Sequence, residues 1–151
     1  MKLLCDHMLG SLARWLRFMG YDTAYPPPGP DRELVDRARR EDRILLTRDK
    51  ELGARVPGAV QVRSDDLEAQ IREVAAVLRL RLVDPLSRCS LCNEILSPVP
   101  VDDVKSFVPE GVRSRHHEFW RCPSCKRVYW QGSHWDKMVE RLNHLDLPRT
   151  P

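Results

Sequence analysis

Two groups of residues in this 151-residue chain have types and spacings that could do chemistry. The first is cysteine. Cys89-Ser90-Leu91-Cys92 and Cys122-Pro123-Ser124-Cys125 are two identical C-x-x-C pairs with 29 residues between them. A two-residue spacer lets both thiolates of a pair face one ion, and two such knuckles supply the four soft ligands of a closed tetrahedral zinc site. With no open coordination position, such a site builds structure and does not turn over substrate. A redox dithiol would need only one pair. The fifth cysteine, Cys5, sits in the apolar run Lys2-Leu3-Leu4-Cys5 and reads as inert core packing.

The second group is acidic. Asp6 follows the apolar run 2–5, and Asp49 follows Ile44-Leu45-Leu46-Thr47 within two residues. In an open α/β sheet, ligands bind outside the carboxyl ends of the strands, where these two aspartates would converge if their strands are neighbours. Asp31, expected to cap a helix N-terminus, would join them. Three carboxylates held close repel one another, so Mg2+ or Mn2+, which prefer hard oxygen ligands, is the natural resolution. Such an ion orients a water, lowers its pKa and neutralises charge on a phosphoryl group. Phosphodiester hydrolysis is the reaction class this suits. Asp65 and Asp66 compete for a fourth acidic position, and Glu33 and Asp36 lie on the helix that Asp31 opens.

Positioning these groups requires alternating strands and helices. Leu9, Leu12, Ala13, Leu16 and Met19 recur at helical spacing, with Gly20 as C-cap. Residues 21–25 predict a second strand, stopped by Pro26-Pro27-Pro28-Gly29-Pro30. Asp31 opens a helix carrying Leu34, Val35 and Ala38. Residues 44–47 form a third strand and Val60 with Val62 a fourth. Ser64 or Asp65 caps a helix striped by Leu67, Ile71, Val74, Ala75 and Leu78. This order predicts an α/β layer with a mostly parallel sheet over residues 1–84. Residues 85–151 hold the paired cysteines and three of the four tryptophans, and predict a small zinc-ribbon module ending in a helix from Trp135 through Leu142 that packs back on it.

The formal charge of +3 is nearly evenly spread, with 15 basic and 14 acidic residues in 1–85 and 10 and 8 in 86–151. It permits an RNA partner without requiring one, because clustering on a face decides. Candidate phosphate contacts are Arg14 and Arg17, neighbours on the first helix, with Arg48, Arg113 and Arg115. Tyr129, Trp130 and His134 lie in a basic and aromatic segment able to stack bases, or to form the ribbon's own core. No apolar run approaches the 18 or more residues of a membrane span, and no signal-peptide pattern opens the chain. The expectation is a cytoplasmic protein with no membrane partner, where paired cysteines bind metal and do not cross-link. Substrate RNA, cleavage mode and oligomeric state are not encoded in any motif.

The run Asp6-His7-Met8-Leu9-Gly10-Ser11-Leu12-Ala13-Arg14-Trp15-Leu16-Arg17-Phe18-Met19-Gly20-Tyr21-Asp22, then Arg43 to Asp49, Cys89-x-x-Cys92-Asn93, and Cys122-x-x-Cys125 with Tyr129-Trp130-x-Gly132-Ser133-His134-Trp135, resembles the Mut7-C RNase domain family. The likeness spans nearly the whole chain. It implies a PIN-like three-layer α/β/α sandwich with a C-terminal zinc ribbon and an acidic Mg2+ or Mn2+ site. By resemblance Asp6 and Asp49 match the nuclease acids, Asp31 matches the acid at the helix before the third strand, and no fourth acid is clearly matched. The function expected is a metal-dependent ribonuclease. A non-catalytic adaptor that binds RNA or a ribonucleoprotein is the alternative.

Overall fold

The computed structural model describes residues 1–147; the last residues of the second region, 148–151, lie outside the described residues. Four parallel strands, β1 (Lys2–Cys5), β2 (Asp22–Ala24), β3 (Ile44–Thr47) and β4 (Val60–Gln61), form a sheet in the order β2-β1-β3-β4. Leu4 and Leu45 point into one apolar cluster and Leu3, Cys5 and Leu46 into another. Both sheet faces are therefore covered, which explains why β1 and β3 read as continuous apolar runs and not as alternating ones. Burial pushes the Cys5 thiol up to about 12, as an inert core thiol requires.

Helices α2 (Asp31–Arg40) and α3 (Lys50–Ala54) cover one face, with Leu34, Val35, Ala38 and Leu52 buried. On the other face, α1 (Gly10–Phe18) and α4 (Leu67–Leu78) bury Leu12, Ala13, Leu16, Ile71, Val74 and Ala75. The result is the three-layer sandwich expected. Gly20 ends α1 in a Schellman turn: its φ is +103°, Tyr21 N–H donates to Leu16 O at 3.0 Å and Gly20 N–H to Arg17 O at 3.0 Å. A Cβ there would also meet the Asp84 backbone nitrogen at 3.0 Å, so both conformation and space demand glycine.

Two predicted caps are corrected. Pro30, not Asp31, is the N-cap of α2; Asp31 is the first helical residue, exposed, with no capping bond. Asp66, not Ser64 or Asp65, caps α4, its Oδ2 accepting from Ala69 N–H at 3.0 Å.

Beyond residue 84 the chain builds a second, antiparallel sheet, β5 (Ser97–Val99), β6 (Phe119–Arg121) and β7 (Val128–Tyr129), with short helices α5 (Val101–Val104) and α6 (Glu110–Arg113). The two C-x-x-C turns are near copies. Cys92 N–H faces Cys89 Sγ at 3.4 Å and Cys125 N–H faces Cys122 Sγ at 3.4 Å, and the next residues, Asn93 and Lys126, take φ of 68° and 67°. One ligand sulfur from each of the four cysteines lies within 4.8 Å of the others, so the four could hold a metal ion such as zinc. Without it the thiols compete. Backbone donation from Arg127 brings Cys125 down to about 7, while desolvation pushes Cys92 up to about 12.

The final helix, α7 (Ser133–Asn143), does not pack back on the ribbon. Leu142 and Leu145 are buried in the α1/α4 core, and Trp135, Met138 and Val139 pack against it. The helical stripe was visible in the sequence, but its partner is a core built by residues far earlier in the chain.

Arg17 joins the two regions. It is 6% exposed, its Nε donates to Thr23 O at 2.8 Å, and its Nη1 donates to Ser90 O and Leu91 O, each at 3.0 Å. The expected RNA contact at this position is thus corrected: the guanidinium is consumed in clamping the first cysteine turn to the β2 edge. Desolvation works against its charge, and the three carbonyl acceptors offset that cost. Asn93 completes the seam, accepting from Thr23 N–H at 3.0 Å and donating to Asp22 Oδ1 at 2.7 Å. Arg43 Nη1 donates to the same oxygen at 2.8 Å.

Arg17→Met keeps the apolar stem but strands three carbonyl acceptors, and should cost about 2–4 kcal/mol in urea unfolding; a loss within error of zero would refute the clamp. Desolvation alone would raise the Asp22 carboxyl, but the Arg43 and Asn93 hydrogen bonds hold it below the usual range. A carboxyl lowered on folding adds stability that is complete above its unfolded pKa of about 3.9 and vanishes as pH falls through the folded value. Asp22→Asn should therefore be less stable than wild type at neutral pH, with the gap closing as pH falls below about 4; a gap that stays constant between neutral and acid pH would count against this linkage.

Candidate active site

The sheet order places β1 at its centre, with the chain leaving through α1 to β2 on one side and returning through α2 to β3 on the other. Strand order therefore reverses between β1 and β3, the position at which open α/β sheets form their ligand crevice. Asp6 and Asp49 stand at this edge. Register pairs Cys5 with Leu46, and Asp6 N–H donates to Leu46 O at 3.0 Å, so the ladder extends to the acid itself.

A residue not singled out from sequence joins the two acidic loops. Thr47, fully buried, donates its hydroxyl to Asp6 Oδ2 at 2.8 Å and accepts Asp49 N–H on the same oxygen at 3.0 Å. A hydroxyl ending an otherwise aliphatic strand, two residues before an acid, was the available signal. Asp49 Oδ1 accepts from Glu51 N–H at 2.9 Å and Leu52 N–H at 3.2 Å, capping α3 and fixing the side chain. This leaves Asp49 Oδ2 without a hydrogen bond among the described residues.

Asp6 is 2% exposed, and its Oδ1 has no hydrogen-bond donor. His7 Nδ1 lies 2.8 Å from that oxygen, an ion pair when the imidazole is protonated, without completing a hydrogen bond. A buried carboxylate oxygen left bare in this way is costly unless a cation or proton meets it. That is the fit expected of a residue that holds a metal ion. His7 was also missed from sequence; it opens a 3-10 turn (His7–Leu9), and Tyr25 fixes its backbone by donating Oη–H to His7 O at 2.6 Å.

The remaining acids stand apart. Among the described residues, the four cysteines are the one set of three or more His, Cys, Asp or Glu side chains whose ligand atoms lie within 4.8 Å of one another. Asp31 does not join Asp6 and Asp49 in a preformed cluster. Asp65 is exposed and pairs with Arg48, which ties the β3 and β4 ends together and occupies that arginine. Glu33 and Asp36 line a cleft that also includes His7 and the proline loop.

On the outer side of α1 runs a groove of about 1130 Å3 between that helix, the ribbon and α7. Arg14, Arg88, Arg115, Arg127, Lys137 and Arg141 line it against a single acid, Asp136, with Trp15, Tyr129, Trp130, His116 and His134 among them. Of the sequence-predicted contacts it gathers Arg14, Arg115, Tyr129, Trp130 and His134; Arg113 does not line it. Its aromatic wall is anchored from behind. Tyr129 Oη lies 3.1 Å from Cys89 Sγ, Trp130 stacks tilted on Phe119 at 6.2 Å, and Arg141 sits 4.9 Å over the Trp15 ring. Ser11, in the first turn of α1 and five residues after Asp6, lines the same groove.

A human protein named exonuclease mut-7 homolog is 38% identical over 102 residues, covering 61% of this chain and 12% of the relative. The chain thus spans only a small part of that protein. No solved structure matches the chain significantly. Residues 1–142 match the Mut7-C RNAse domain, and the chain belongs to that family.

Proposed function

We propose that this protein is a metal-dependent ribonuclease whose reaction centre is the Asp6–Thr47–Asp49 edge. The observation that carries the reading is the buried, donor-less Asp6 Oδ1 beside Asp49 at the strand-order reversal. Asp6 and Asp49 hold Mg2+ or Mn2+, and a further carboxylate comes from α2, where exposed Asp31 and Asp36 carry no side-chain hydrogen bonds among the described residues. The bound ion supplies an activated water and neutralises charge on the scissile phosphate. Thr47 keeps the Asp6 carboxylate oriented, and the Asp49 cap keeps its free oxygen facing the crevice.

RNA reaches this centre along the α1 groove. Cations grip phosphates without reading sequence, and Tyr129, Trp130 and His134 offer faces for unstacked bases, which favours a single strand over a duplex. The four cysteines hold a structural zinc ion that shapes the groove wall, a use of thiols suited to the reducing cytoplasm. The family description and the nuclease name of the human relative support this reading.

The first test is Mn2+- or Mg2+-dependent cleavage of single-stranded RNA. Asp49→Asn should lower the rate at least about a hundredfold while leaving RNA affinity in place. Arg14→Ala should weaken binding to all sequences and lower the slope of log affinity on log salt by about 0.7 for one lost phosphate contact. Equal cleavage by wild type and Asp49→Asn would sink the enzyme reading; RNA binding without cleavage in either would favour the adaptor.

For the metal module, elemental analysis should find zinc in the purified chain. A zinc-selective chelator or Cys89→Ser should lower the melting temperature and red-shift tryptophan fluorescence as Trp120 and Trp130 meet water. Unchanged melting in a chain free of zinc would overturn the assignment.

A further inference from the structure

The cleft beside His7 is separate from the α1 groove: α2 and the proline loop line it, on the sheet face opposite α1. It measures about 300 Å3, at the small end of pockets that enclose a ligand, which lie at roughly 300–1,000 Å3. Its walls are unlike those of the groove. Pro26, Pro27 and Pro30 form a stiff rim, because each ring locks its φ, and buried Leu34 provides an apolar floor. Arg37 and Arg40 bring two guanidinium groups from successive turns of α2. Arg37 spends its Nε on Glu41 Oε2 at 2.5 Å, whereas Arg40 makes no ion pair among the described residues. Glu33 folds over the loop, so close that a Cβ at Gly29 would come within 2.8 Å of its Oε2.

The cleft also carries Asp36 and His7, and its apolar rim, the uncommitted Arg40 guanidinium and the Glu33 carboxylate match the three parts of one ribonucleotide. We infer that this cleft is a subsite for a single ribonucleotide at the end of the RNA. Its phosphate faces Arg40 and Arg37, its base lies against the proline rim and Leu34, and the Glu33 carboxylate accepts a ribose hydroxyl. A carboxylate is the group that reads ribose diol, and the 2′-hydroxyl is what separates RNA from DNA. A strand lying in the α1 groove would cross the Asp6 turn and place one nucleotide in the cleft, so hydrolysis would release mononucleotides from an end. This rests on the ribonuclease reading above for its consequence, but the subsite itself is tested by binding.

The experiment is a titration of the full chain with adenosine 5′-monophosphate, without divalent metal, followed by amide NMR. Saturable shifts should centre on His7, Gly29, Glu33 and Arg40. Arg40→Ala should weaken binding about tenfold, the loss of one charge-assisted contact. Deoxyadenosine 5′-monophosphate should bind about tenfold more weakly than the ribonucleotide, and Glu33→Gln should erase that difference. Both residues are exposed on α2, so neither change threatens folding. Shifts confined to the α1 groove, no saturable binding at millimolar nucleotide, or equal affinity for ribo- and deoxynucleotide would each overturn the subsite. Metal-dependent cleavage with no nucleotide binding at the cleft defeats this inference alone; nucleotide binding there with no cleavage defeats the ribonuclease reading alone.

Discussion

A single buried hydroxyl holds the two acidic loops in register. Thr47 donates its hydroxyl to Asp6 and accepts the Asp49 amide on the same oxygen, so neither loop can shift without breaking a bond to that buried hydroxyl. The constraint exists because β1 and β3 are adjacent and parallel, with Asp6 continuing the ladder that Cys5 and Leu46 begin. Replacing that hydroxyl by a methyl would keep the shape and leave a buried carboxylate with one fewer donor, the costlier half of such an exchange. The acidic edge is thus an extension of sheet geometry and not a loop feature added to it.

The opposite end of the sheet is held by a second polar seam. Arg17, Asn93, Asp22 and Arg43 link the first cysteine turn to the amino end of β2, away from the acids. Helix α1 is the rod between the two ends, nine residues or roughly 13 Å at 1.5 Å per residue. It starts at the Asp6 turn and finishes beside the metal module. Its inner face fills the core, Arg17 faces the seam, and Arg14 and Trp15 face the groove.

What could be read from sequence were features whose cause is local. Aliphatic runs ending in an acid, the Gly20 turn, the period of α1 and the paired cysteines each carry their own physical signature within a few residues. The misreadings share the opposite character. Arg17 looks like any surface arginine until carbonyls of nearby Thr23 and of distant Ser90 and Leu91 converge on it. Asp31 and Asp65 looked like caps because acids commonly cap helices, but Pro30 and Asp66 won those positions through the entry angle of the preceding loops. Thr47 and His7 acquire meaning only once β1 and β3 are paired. The cage of three aspartates was read from their places at strand ends and a helix start, and Asp31 stands exposed on the surface.

The return of α7 into the core of the first layer has a consequence for how this chain can be taken apart. The cysteine ribbon is not a tail but an insertion, entered after α4 and left through α7, where Leu142 and, just beyond the helix, Leu145 complete the hydrophobic packing of α1 and α4. Cutting after residue 84 would not liberate a nuclease-like layer; it would open that layer's own interior to water. The ribbon is likewise anchored at both of its exits, so it cannot be grafted elsewhere as a cassette without recreating two docking surfaces. Circular permutants or fusions would have to respect a seam that the linear order conceals.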